Sequence, residues 1–233
     1  AEPVLIGHSM GTLVVQLYLA KASAAGVALL APVPPTGTGG SASRLALQQP
    51  DFFAELPNVL AGKPTANTLK VMASVYFSPD VRPEETLQFM PMIGNESDQA
   101  VAEMVALPFT PAPRTPRLPA FVMGGSHDAV FPASMLFFTA LPWRARTVTI
   151  DRAGHMLMLD PQWPQAAEAL GTQPGRTLVL EDSYNGVRAG AAGGFVTVMV
   201  PDMAPANDEM RRLYTAECCD LYEVLDGLQN GRF

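Results

Sequence analysis

Cysteine is scarce in this sequence of 233 residues: Cys218 and Cys219 are the only two, and they are adjacent. Neighbouring cysteines seldom bridge each other, so a disulfide framework is excluded, and reduced thiols in a cytoplasmic protein are expected. Lysine is also sparse, with Lys21, Lys63 and Lys70 and none after them. No basic run forms and the net charge is −7, so nothing suits a nucleic-acid partner. No uncharged apolar stretch reaches the roughly 18 residues of a membrane span, and no membrane partner is expected. No basic-then-apolar leader opens the chain either. It begins at Ala1, without methionine, and an apolar strand pattern starts almost at once, which reads as a fragment. Histidine is limited to His8, His127 and His155, and that narrows the search for a general base.

What is present is apolar. The hydrophobic share is 48% against 16% charged, the balance of a folded chain with a large interior. The length suffices for one sizeable core and part of a second domain. Residues 3–8 read as a buried strand. Residues 9–25 read as a helix, with Leu13, Val14, Leu17 and Tyr18 at helical spacing and Gly26 as its stop. Val27 to Ala31 reads as a second buried strand, giving a parallel crossover unit. Residues 33–116 break this rhythm with Pro34-Pro35, with helical patterns at Thr65–Phe77 and Ser97–Leu107, and with Met72, Met90, Met92 and Met104. That segment reads as a helical insertion, whose methionines suit either an adaptable apolar surface or a small core of their own. Strands at 118–123 and 146–150 follow, with helices at 132–141 and 164–170. The crossover pattern then resumes with strands at 177–180 and 195–200 around a helix at 186–192. The last thirty residues read as helical and polar.

The stretch "VLIGHSMGTLVV" places Ser9 on the turn between the first strand and the first helix. Ser9 fits two roles there, a helix cap or a nucleophile. A nucleophilic hydroxyl needs a base for its proton and donors for the developing oxyanion. The Met10 amide, at the helix N-terminus, is one such donor. The tight turn demands small residues two before and two after, supplied by Gly7 and Gly11. His8 is expected to face away from the nucleophile. Asp128 and His155 each follow a predicted strand, and the order Ser9, Asp128, His155 is one of the chain orders of the serine triad.

Together "GHSMG", "VMGGSHDAVFP" and "DRAGHMLMLDP" resemble the C-terminal two-thirds of an α/β-hydrolase, over residues about 3–170. The resemblance implies a three-layer α/β fold with a mostly parallel sheet and an inserted helical cap at about 38–116. It implies a serine esterase or related acyl hydrolase with Ser9 as nucleophile, Asp128 as acid and His155 as base. The substrate would be a small-molecule ester, and no cofactor would be needed. The strands that precede the nucleophile in that family, and the loop giving a second oxyanion amide, have no counterpart here. Losing one such donor lowers the rate on the order of a hundredfold.

A second resemblance covers about residues 169–227. The stretch "TLVLEDSYNGVRAGAAGGFVTVMVPD" is similar to the end of a haloacid dehalogenase-type phosphatase or sugar phosphomutase. It implies a Rossmann-like fragment in which Glu181 and Asp182 help hold Mg²⁺, a hard cation that prefers oxygen. The Asp-x-Asp nucleophile pattern of that family occurs nowhere in the chain, and no lysine precedes the acidic pair within this part. A solvated acidic turn is the competing account of the pair. The expected organisation is therefore a truncated hydrolase domain at 1–170 fused, near 164–174, to a fragment at 171–233. The alternatives to an esterase are a Mg²⁺-dependent phosphatase fragment and a non-catalytic fusion remnant. The substrate's identity and the oligomeric state are not legible in the sequence.

Overall fold

A computed structural model describes residues 4–35, 37–61, 63–92, 104, 116–171, 173, 175, 177–181, 184–201 and 205–233. The chain divides into two compact units, Glu2–Leu170 and Gly171–Phe233.

In the first unit, β1 (Val4–His8), β2 (Gly26–Leu30), β3 (Ala120–Gly125) and β4 (Arg146–Ile150) form a parallel sheet in the order β1-β2-β3-β4. Alternation along β2 sends Val27 and Leu29 to one face and Leu30 to the other. On the first face, α1 (Met10–Leu19) and α5 (Leu136–Trp143) pack Leu19, Leu136, Ala140 and Trp143 against the sheet. On the second, α6 (Trp163–Leu170) contributes Ala166 beside Met123, Ile150 and Leu157. The result is three layers, as a parallel sheet with both faces apolar requires.

Helix α1 ends at Leu19, earlier than expected. The amides of Lys21 and Ala22 turn back onto the Tyr18 carbonyl, and Gly26 opens β2 instead of closing the helix. Between β2 and β3 lie α2 (Gly39–Gln48), α3 (Pro50–Leu60), α4 (Ala66–Tyr76) and a 3₁₀ segment, Pro83–Met92. Helix α4 begins at a capping box in which Thr65 and Thr68 satisfy each other's amides. Met72 is 4% exposed and packs with Phe52, Val59 and Val75, so it fills this insertion's own core. The expected helix at 97–107 falls almost wholly outside the described residues.

In the second unit, β5 (Leu178–Glu181), β6 (Val196–Met199) and β7 (Ala216–Glu217) form a separate parallel sheet. Helix α7 (Tyr184–Ala192) joins β5 to β6, and α8 (Met210–Leu213) and α9 (Leu221–Gln229) flank β7. The C-terminal segment is therefore not purely helical and polar. Its two-residue strand is too short to leave a periodic signal, and Cys218 and Val224 are buried with Val198 behind it.

Candidate active site

Ser9 sits where β1 turns into α1, with φ 50° and ψ −122°, a backbone region that costs a non-glycine residue energy. The surrounding bonds hold it there. Its amide donates to the Leu30 carbonyl (3.0 Å), and its own carbonyl accepts from the Thr12 amide (3.0 Å) and the Thr12 hydroxyl (2.6 Å). The Thr12 oxygen in turn accepts from the Val33 amide at 3.2 Å. Thr12 is fully buried and acts as the bracket of the turn, a role that sequence reasoning missed.

Gly7 meets the steric demand expected of it, since a Cβ there would stand 2.7 Å from the Gly11 carbonyl oxygen. Gly11 does not. A Cβ at Gly11 would meet nothing within 4 Å, so the tightness of the turn falls on one glycine and on the backbone opposite it.

The Ser9 hydroxyl makes no capping bond to α1. It lies 2.9 Å from His155 Nε2, and His155 Nδ1 lies 2.9 Å from Asp128 Oδ2. Asp128 follows β3 and His155 follows β4, so three strand ends of one sheet supply the three side chains. Asp128 and His155 are 4% and 3% exposed. The second carboxylate oxygen, Oδ1, accepts from the amides of Val130 and Phe131, both at 2.8 Å, which fixes the carboxylate plane. A carboxylate at Nδ1 selects the tautomer that donates there, leaving Nε2 to accept the Ser9 proton. The arrangement can activate a hydroxyl and stabilise the imidazolium that results. The Met10 amide is the first of α1, and a helix's first amides lack intrahelical acceptors.

His8 packs against His155. Its Nε2 donates to the His155 carbonyl at 2.9 Å, and the two rings lie 5.1 Å apart. Desolvation, aided by the charge of His155, lowers the His8 pKa to about 4. It therefore stays neutral at neutral pH. Tyr76 and Phe131 complete a ring of aromatic neighbours around His155. His127 is exposed and pairs with the Ser126 hydroxyl, apart from the triad.

The loop bearing His155 is stitched to the insertion. The Met156 amide donates to the Tyr76 carbonyl, Gln162 donates to Asp80, and Arg152 forms a two-pronged pair with Asp80. Buried Asp160 accepts from the Ser78 and Gly154 amides. The available signal for Asp160 was a carboxylate closing the apolar run Met156–Leu159, because a buried charge must be paired. A cavity of about 350 Å³ is lined by Lys70, Phe77, Ser78, Val81 and His127 among others, and Ser9, Asp128 and His155 are not part of its lining.

The profile of the Alpha/beta hydrolase family matches residues 1–164. The chain belongs to that family. Three solved structures share its fold: Rv0554 from Mycobacterium tuberculosis (20% identity, TM-score 0.50, 72% of this chain and 63% of that one); the esterase EaEST from Exiguobacterium antarcticum (16%, 0.53, 72% and 65%); and a thermophilic esterase from Thermogutta terrifontis (21%, 0.50, 73% and 64%). The chain thus spans less than two thirds of the length of each. No curated protein matches it. The family match ends before residues 165–233.

In the second unit, Glu181 ends β5 with its carboxylate against α7. A Cβ on Gly186 would stand 1.7 Å from its Oε2. Asp182 lies outside the described residues. Among the described residues no three His, Cys, Asp or Glu side chains group as ligands for a metal ion, and no helix is long and apolar enough to cross a membrane.

Proposed function

We propose that this chain hydrolyses carboxylic esters of small molecules through an acyl-enzyme formed on Ser9. The observation that carries the reading is the chain of two 2.9 Å contacts from Ser9 Oγ through His155 to buried Asp128. Ser9 Oγ attacks the ester carbonyl carbon while its proton passes to His155 Nε2. The Met10 amide meets the oxyanion, and the departing alcohol takes the proton from His155. Water then attacks the acyl carbon, gives a proton to His155, and releases the acid as Ser9 is reprotonated. A fluorophosphonate probe should label Ser9, and Ser9→Ala should abolish labelling and lower p-nitrophenyl ester turnover on the order of ten-thousandfold or more. A cooperatively melting chain that takes no label and turns over no ester would be a non-catalytic protein.

For residues 171–233 we propose descent from a haloacid dehalogenase-type fold, joined near 164–174. The "EDSYNG" stretch and the parallel β5-β6-β7 sheet support that reading. No phosphoryl transfer is proposed. A Mg²⁺ ion wants six oxygens in near-ideal geometry, and the carboxylate of Glu181 is instead packed on Gly186. Turnover of p-nitrophenyl phosphate that depends on Mg²⁺ would overturn this judgement.

A further inference from the structure

We propose that Asp160 is a positioning residue for His155, fastening the general base to the helical insertion so that the two hold one geometry; this rests on the esterase reading above. Asp160 is fully buried. Its Oδ1 accepts from the Ser78 amide at 2.7 Å, and its Oδ2 accepts from the Gly154 amide at 2.6 Å. Ser78 follows α4 in the insertion, and Gly154 immediately precedes His155. One carboxylate thus joins two segments that are distant in sequence, through two charge-assisted bonds of the stronger kind. The next residue is held from the same side, since the Met156 amide donates to the Tyr76 carbonyl at 2.9 Å. His155 is therefore clamped on both flanks by the exit of α4. No slack remains between them, because a Cβ on Gly154 would stand 2.4 Å from the Phe77 carbonyl carbon. Burial raises the Asp160 carboxyl above the ordinary range, while the two amides pull it back. A buried charge kept at such a place holds two amides that would otherwise lack acceptors.

The substitution Asp160→Asn would leave one acceptor oxygen where two amides need one each, and the new NH₂ would face an N–H donor. The test compares wild type, Asp160→Asn and Leu19→Ala, the last a core truncation that destabilises the sheet away from the seam. Two readings are taken: kcat and KM on a p-nitrophenyl ester, and the downfield Nδ1 proton of His155 by NMR, which needs no turnover. Asp160→Asn is expected to lower kcat on the order of a hundredfold with KM held, and to lose the His155 ring proton to solvent exchange. Leu19→Ala should lower the melting temperature while keeping both. The proposal is overturned if Asp160→Asn keeps the ring proton, or if Leu19→Ala loses kcat and the proton to the same degree. A wild type that turns over no ester would sink the esterase reading alone, and the ring-proton comparison would still decide the role of Asp160.

Discussion

Two strand-to-helix junctions in this chain look alike and do different things. At the first, β1 runs into α1 and Gly7 makes room for the helix backbone, so that Ser9 stands clear of its own helix. At the second, β5 runs into α7, and Gly186 makes room for the Glu181 side chain itself, which lies down on the helix. The first junction is then met by loops after β3 and β4, carrying Asp128 and His155. The second lies on a sheet that has three short strands among the described residues, the last of two residues. At the first junction other strand ends of the sheet bring polar partners to the strand-end side chain, and at the second the side chain lies on the following helix.

Four measurements can break or sharpen this contrast. The largest effect is expected from Gly125→Ala, because the new Cβ would stand 2.1 Å from the Ala153 carbonyl oxygen and displace the loop that delivers His155. Ester turnover should fall on the order of a hundredfold and the melting temperature should drop. Retained activity would mean that convergence of the loops does not matter.

His8 is next. The folded chain refuses a proton between the ordinary pKa of 6.5 and about 4, whereas the unfolded chain accepts it. Stability should therefore be complete above that window and fall as the pH drops through it, by up to about 3 kcal/mol. Urea midpoints across the window should show the slope in wild type and a shallower one in His8→Gln. Gly11→Ala should be mild, raising stability by up to about 1 kcal/mol and leaving fluorophosphonate labelling intact. Failure to label would restore the idea that both glycines of the turn must be small. The smallest effect concerns the second junction, where added Mg²⁺ should leave the melting temperature of both wild type and Glu181→Gln unchanged. A Mg²⁺-dependent rise confined to wild type would make that junction a metal site after all.

The turn at Ser9, the strand-end positions of Asp128 and His155 and the crossover rhythm were legible because each rests on local pattern: an apolar run, a turn with a small residue, a polar group at the strand's end. Thr12, Asp160 and the Asp80–Arg152 pair were not. Their partners are mostly backbone groups or residues more than twenty positions away, and a sequence does not print which carbonyl or amide a side chain will meet. The contact of His8 was not legible for the same reason, since its neighbour is the carbonyl of a residue 147 positions later. Gly11 shows the converse error, in which a residue type expected for its size has space around it. The two-residue β7 lies below the length at which alternation can be recognised.

The sheet order places His155 after an outermost strand: among the described residues β4 pairs with β3 alone, and Arg146, Thr147 and Thr149 along it are exposed. A strand held along one margin opens more readily than the strands between two neighbours. Asp128 is carried by β3, which is held along both margins. On heating, His155 should therefore part from Asp128 while the rest of the sheet is still intact, and ester turnover should be lost ahead of melting.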